Sequence, residues 1–284
     1  MKTVYEKINV NVKGKNFNET WYTYIIDSDA DGYTSDGEVL FKFRKNQFNE
    51  RLKTLAIDTF LELSKKKHSN RGLAAGIPKG QQNSRTITPT GQSEGGYIAS
   101  NISGYYDRPL REHRGILGTI IACRKTAFTL NNKHLWEQGL PFVKYCSNLY
   151  KRYARKYYNS QEKEYNSIHP KIKIPGTVFT TITSNYNWRT ACHKDSGDYS
   201  GGLGNLIVLG NNFEGGYLGF PQFKVLIKIK PGDFLLMDSH QWHCNTPIKI
   251  HEGGFRLSFV MYIREDMKLC KNSKQIDKTD YLTV

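Results

Sequence analysis

Between Val178 and Met261 the chain is cut into short apolar runs divided by turn residues. They read VFTTITSN, LGNLIVLG, GGYLGFPQF, KVLIKI, DFLLMDS and FRLSFVMYI. Each is rich in the β-branched and aromatic residues that fit a pleated, half-buried surface, and Gly, Pro, Asn and Asp separate them. Short strands at this spacing suggest an antiparallel sandwich or barrel.

The N-terminal part is patterned differently. Residues 1–12 alternate, with Val4, Ile8, Val10 and Val12 on one face, and TWYTYII and EVLFKF flank a polar stretch as a candidate strand pair. In FNERLKTLAIDTFLELSKKK the residues Leu52, Leu55, Ala56, Phe60 and Leu63 recur at helical intervals, which predicts an amphipathic helix. A second helix is expected over LPFVKYCSNLYKRYARKYYNSQEKEY, with Lys151, Arg152, Arg155 and Lys156 along an exposed face. The Gly-, Ser-, Gln- and Pro-rich stretch at about 68–96 reads as a long mobile loop. Residues from Lys268 read as a polar tail. At 284 residues the chain fits one domain. We divide it into an N-terminal elaboration (1–115), a core (116–267) and a tail (268–284).

The formal net charge is +15 and the sequence pI about 9.5, so a polyanionic partner, nucleic acid, is the natural inference; a solvated lysine-rich surface is the bland alternative. Five cysteines (Cys123, Cys146, Cys192, Cys244, Cys270) without a Cys-x-x-Cys pair argue against a disulfide framework or zinc knuckle and for a reducing, intracellular setting. No apolar run approaches the ~18 residues that span a bilayer, and the first residues lack a signal-peptide core. A soluble, non-secreted monomer without a membrane partner is expected.

In ACHKDSGDY, His193 and Asp195 stand one residue apart, a spacing that at a strand end puts both on one face. His243 in DSHQWHCNTP is the best third ligand, with His240 its competitor. Two histidines and a carboxylate on one face leave coordination positions open, as in non-haem Fe(II) oxygenases. Arg256 lies in the apolar run GFRLSFVMY, where a guanidinium needs a partner. Its planar fork suits a carboxylate, and Ser258, two residues on, faces the same way.

Together, His193-Lys-Asp195, PGDFLLMDS, His243 followed by CNTP, and Arg256-x-Ser258 resemble the double-stranded β-helix dioxygenases that use 2-oxoglutarate. More narrowly, ACHKDSGDYSGGLGNLIVLG and HCNTP…RLSFVMY resemble the TET/JBP family, which oxidises the 5-methyl group of pyrimidines in nucleic acid. Base-J thymine hydroxylases and viral or phage relatives are the nearest in flavour. The resemblance covers roughly residues 120–265, with ACRKTAFT at its start. It implies an α+β fold with a double-stranded β-helix (jelly-roll, cupin-like) core and N-terminal helices packed on it. It further implies Fe(II) held by His193, Asp195 and His243, with 2-oxoglutarate anchored by Arg256 and Ser258. O2 is consumed, succinate and CO2 are released, and thymine or 5-methylcytosine in DNA is hydroxylated. A base inside a duplex would have to leave the stack. Arg124 is a candidate for the cosubstrate's other carboxylate, and Asn185 or Asn187 for placing cosubstrate or base. Asp198 and Tyr199 are candidates to border the base. For a viral chain the nucleus or cytoplasm of the host would be the setting. The same chemistry on RNA or protein, and a silent nucleic-acid-binding module, are the rival readings.

Two features invite other readings. DSDADGYTSDGE (27–38) satisfies the EF-hand pattern with Asp27, Asp29, Asp31, Gly32 and Glu38, but its flanks are β-like and Thr34 occupies an apolar position. A polar hairpin loop is the expectation. Lys194 points away from the ligand face and reads as a surface residue.

Overall fold

The computed structural model describes residues 2–68, 74, 98–107 and 123–270. Most of the expected loop at 68–96 and the tail beyond Cys270 lie outside the described residues. The strands are β1 (Lys2–Tyr5), β2 (Tyr24–Ile26), β3 (Ala30–Thr34), β4 (Val39–Arg44), β5 (Lys67–His68), β6 (Ile98–Tyr106), β7 (Arg124–Lys125), β8 (Thr181–Tyr186), β9 (Gly204–Gly215), β10 (Leu218–Phe220), β11 (Val225–Ile227), β12 (Phe234–Met237), β13 (Cys244–Asn245) and β14 (Ile248–Tyr262). The helices are α1 (Glu50–Ser64), α2 (Ala127–Asn131), α3 (Lys133–Tyr153) and α4 (Arg155–Ser167). No helix among the described residues is long and apolar enough to cross a membrane. The chain falls into two compact units.

The first unit comprises Met1–Asn101, Ser184–Ser196 and Leu206–Phe259. Its larger sheet has neighbouring strands in the order β1-β3-β4-β12-β9-β14, and a smaller one runs β13-β10-β11-β2. Two sheets of largely antiparallel strands are the double-stranded β-helix arrangement. Each of the six apolar runs contains a strand, but β9 and β14 extend well past theirs. Asn211, Asn212, Glu214, His251 and Glu252 prolong them as polar residues, and His251 Nε2 meets Glu214 Oε1 at 2.9 Å. Phe41, Phe43, Phe220 and Phe234 are fully buried, and Phe41 of the larger sheet stacks on Phe220 of the smaller at 6.5 Å between centroids. Helix α1 starts where Asn49 accepts a bond from the Leu52 amide at 3.0 Å, satisfying one of the orphan donors of the first turn. Its apolar stripe buries Ala56 and Phe60, and the Phe60 ring meets Phe259 edge to face at 5.3 Å.

The strand pair expected from TWYTYII and EVLFKF does not form. Strand β2 pairs in parallel with β11 of the smaller sheet, and β4 takes β3 as its neighbour. That strand runs through the EF-hand-like stretch. Asp31 bonds Lys42 Nζ at 2.8 Å and Arg44 Nη2 at 2.7 Å, and Gly32 is required because a Cβ there would enter the Phe41 ring. A strand is favoured over a loop because the Asp31 carboxylate is balanced by two cations across the ladder.

The second unit comprises Ile102–Thr183, Gly197–Asn205 and Val260–Val284. The expected second helix is two helices, α3 and α4, divided at Ala154 (φ −141°, ψ 58°). Tyr150 and Phe179 stack at 6.3 Å between centroids in its core. Gln161 donates to the Val178 carbonyl at 2.7 Å. Asp107, buried, accepts Arg264 Nε at 2.7 Å and Nη2 at 3.3 Å. Cys123 and Cys270 are joined as a disulfide, Cα atoms 5.9 Å apart, where five cysteines without a Cys-x-x-Cys pair argued against a disulfide framework. A separation of 147 residues leaves no local spacing to read.

Candidate metal centre

His193 and His243 sit in an isolated antiparallel bridge, exchanging backbone bonds at 3.1 and 3.0 Å. Residues 187–195 form no regular strand, so the expected strand end is a loop pinned to β13. Thr190 carries the pinning: its hydroxyl donates to Asn245 Oδ1 at 2.9 Å. The Asp195 amide bonds the Ser239 carbonyl at 2.9 Å.

The ring centroids of His193 and His243 lie 4.4 Å apart. Each Nδ1 faces a carbonyl two residues back, Ala191 at 2.8 Å and Gln241 at 2.9 Å. A carbonyl only accepts, so both Nδ1 atoms carry protons and both Nε2 lone pairs are turned inward. Those Nε2 atoms stand 3.4 and 3.5 Å from the two Asp195 oxygens. The potential ligand atoms lie within 4.8 Å of one another; this is the one such cluster of His, Cys, Asp and Glu among the described residues. His243 is buried and Asp195 partly open, so the site has a wet side. Burial opposes ionisation of Asp195, but the two imidazoles outweigh it and hold its carboxyl well below the usual range. Burial also opposes a charged His243, but the bond to Asp195 prevails and raises its pKa above the ordinary value.

His240 is outside this cluster, its amide and Nδ1 turned to Asp238 Oδ1 at 3.0 and 3.5 Å. Lys194 is exposed, with Nζ 5.2 Å from the centre of the Trp242 ring.

Arg256 on β14 is 1% exposed. Its Nη2 donates to the Gly216 carbonyl at 2.9 Å, and its buried Nε has no partner. Among the described residues no acidic side chain forms an ion pair with it, and burial lowers its pKa to about 10. The Gly216 carbonyl also accepts Asn245 Nδ2 at 3.2 Å. Asn245 therefore ties the loop before His193, the strand after His243 and the Arg256 guanidinium to one another. Sequence reasoning missed Asn245 and Gly216; the signals were the CNTP that follows His243 and the Gly-Gly at 215–216. Ser258 is buried two residues along β14 from Arg256.

Asn187, at φ +48°, accepts the Arg256 amide at 2.7 Å, so it serves the backbone. Asn185 is buried with an unpartnered Oδ1. Arg124 belongs to the second unit, on β7, its guanidinium 5.6 Å from the Tyr106 ring centre. Asp198 bridges Arg264 and Tyr199 meets Ser160 at 3.3 Å, both within that unit.

Residues 102–265, more than half of the chain, match the Tet_JBP profile, the oxygenase domain of the 2OGFeDO superfamily. The chain belongs to this family. Its curated relatives include the thymine dioxygenase JBP1 of Crithidia fasciculata, 36% identical over 168 residues, which cover 58% of this chain and 20% of the relative. The Leishmania major and Trypanosoma brucei brucei proteins of the same name are each 34% identical over 168 residues. The aligned region spans about a fifth of the length of these relatives. Among solved structures, NgTET1 in complex with 5mC DNA superposes with a TM-score of 0.55 at 15% identity, covering 92% of this chain and 83% of that one. At that identity the likeness shows the fold.

The donor set fits the family's Fe(II): two neutral imidazole nitrogens, one carboxylate and no thiolate. The unpartnered Arg256 Nε fits the remote carboxylate of 2-oxoglutarate.

Proposed function

We propose that this chain is an Fe(II)- and 2-oxoglutarate-dependent dioxygenase that hydroxylates the 5-methyl group of a pyrimidine in DNA. The observation that carries the reading is the convergence of His193 Nε2, His243 Nε2 and the Asp195 carboxylate, with the buried Arg256, which has no acidic partner among the described residues, tied through Asn245 to the same loops. Iron with 2-oxoglutarate and O2 supplies the oxidising power for an unactivated C–H bond, and succinate and CO2 are its by-products. The protein's part is positional. His193 and His243 present fixed lone pairs because their Nδ1 protons are committed to carbonyls. Asp195, ionised, contributes negative charge to a divalent ion. Arg256 and Ser258 hold the far end of the oxo-acid. Asn185, with its unpartnered Oδ1, is the further candidate for placing cosubstrate.

Thymine is the favoured base, because the curated relatives named above are thymine dioxygenases. 5-Methylcytosine is the alternative, supported by the DNA in the NgTET1 complex. The test is mass spectrometry of nucleosides after incubation with Fe(II), 2-oxoglutarate and DNA containing thymine or 5-methylcytosine. Hydroxymethyluracil or hydroxymethylcytosine appearing with succinate supports the reading and names the base. Turnover supported by RNA or peptide alone overturns the DNA assignment and leaves the chemistry standing.

A further inference from the structure

Each metal-centre histidine has a cysteine beside it, and the bridge sets those cysteines against each other. Because His193 and His243 exchange both backbone bonds, their neighbours Cys192 and Cys244 face one another at a non-hydrogen-bonded position, on the opposite face from the imidazoles. Cα atoms at such a position lie about 4.5 Å apart, inside the roughly 4.4–6.8 Å that a disulfide spans. Both thiols are free and buried, and they lie within hydrogen-bonding reach of each other. The buried Nε of Arg189 has no hydrogen-bond partner. Val12 packs on the sulfurs, with Val10, Phe17 and Trp21 around it, in a segment that Gly14 and Lys15 bond to the Cys192 backbone at 2.8 Å each.

We propose that Cys192 and Cys244 are a site of reversible oxidation by hydroperoxides, and that closing their disulfide weakens metal binding at His193 and His243. In the first step the Cys244 sulfur attacks one oxygen of hydrogen peroxide. The O–O bond breaks, the thiol proton leaves with the departing hydroxide as water, and a sulfenic acid remains. The Cys192 sulfur then attacks Cys244, the S–S bond forms, and the sulfenic hydroxyl leaves with the second thiol proton as another water. Two thiols and one peroxide give one disulfide and two waters, and the two electrons lost by sulfur are taken up by the peroxide. Access requires the Val10–Trp21 segment to lift, so oxidation is paced by that local opening. The disulfide favours a Cα separation of about 5.5–6 Å, wider than this bridge position offers. Its closure therefore shifts the two histidine backbones that aim the Nε2 atoms.

The test treats the full chain with hydrogen peroxide, alkylates the remaining thiols, digests without reduction and reads the peptides by mass spectrometry. Co(II) affinity is measured in parallel by visible absorption. A Cys192–Cys244 cross-linked peptide is expected, with Cys146 alkylated. Co(II) should bind roughly tenfold more weakly after oxidation and recover with dithiothreitol. Cys192→Ser and Cys244→Ser should each keep their Co(II) affinity through peroxide treatment. Absence of the cross-linked peptide overturns the oxidation site. An equal loss of Co(II) binding in both serine variants overturns its link to the metal, since the damage then lies elsewhere.

Discussion

Gly216 lies against the guanidinium of Arg256 so closely that a Cβ at residue 216 would stand 2.5 Å from Nε and 2.9 Å from Cδ. Its φ of +67° also lies where an L side chain is strained. Gly216→Ala should therefore displace the arginine and cost about 1–3 kcal/mol in stability. The expected signature is 2-oxoglutarate affinity lower by roughly 10- to 100-fold, with Co(II) affinity unchanged. Calorimetric titration checks both, and unaltered 2-oxoglutarate binding would remove Arg256 from the cosubstrate site.

The three metal ligands make a second expectation. Under anaerobic conditions, Fe(II) with 2-oxoglutarate should give a weak visible charge-transfer band, and His193→Ala, Asp195→Ala or His243→Ala should abolish it. His240→Ala should keep it, since that imidazole is turned to Asp238. A band that survives His243→Ala but not His240→Ala would reverse the assignment.

Proton competition at His243 sets the sign of a pH effect. Asp195 raises the pKa of His243 in the metal-free protein, and the metal needs the neutral ring. Co(II) affinity should climb with pH between about 6 and 8, with its rise displaced above that of an ordinary imidazole. The same shift stabilises the metal-free fold below the unfolded histidine pKa, and that contribution disappears as pH rises through the folded value. A flat affinity across the interval would contradict the arrangement.

Much of this centre was legible because its signals are short-range or chemically extreme. His193-x-Asp195 is a local spacing, and Arg256 is a full charge in an apolar run. What could not be read depends on contacts far apart in sequence. Asn245 bonds Thr190 and Gly216, and only the fold brings those together. The β-rich runs announced their strands but not their lengths, since the polar ends of β9 and β14 look like turns until they pair. The helix break at Ala154 has no proline or glycine to mark it. Strand β3 was missed because carboxylates in DSDADG read as loop chemistry until Lys42 and Arg44 stand opposite.

That ladder gives a stability expectation. Burial works against ionisation of Asp31, but the bonds from Lys42 and Arg44 outweigh it and lower its pKa. The contribution is present above the unfolded aspartate value of about 3.9 and is lost as pH falls through the folded one. Asp31→Asn should cost about 1–3 kcal/mol in urea unfolding at neutral pH, with the difference shrinking in acid. Calcium should leave the midpoint of the parent protein unchanged, because Asp31 is already paired. A calcium-dependent rise would restore the EF-hand reading.

The basic surface at the α3–α4 break gives the last expectation. Arg152, Arg155 and Lys156 are exposed and Lys151 partly so, with no acidic residue among positions 151–156. Lys151, Arg152 and Lys156 lie 5.0–5.3 Å from the ring centres of Tyr158, Tyr153 and Tyr157, which limits the entropy they lose on meeting a phosphate. Each phosphate neutralised contributes about 0.9 to the slope of log K against log salt for duplex DNA. Replacing all four by Ala should flatten that slope by up to about 3–4 and weaken binding uniformly across sequences. Co(II) and 2-oxoglutarate affinities should stay at the parent values. An unchanged slope in a folded variant would move the phosphate contacts to another face, whereas a change confined to one sequence would mean that these residues read bases.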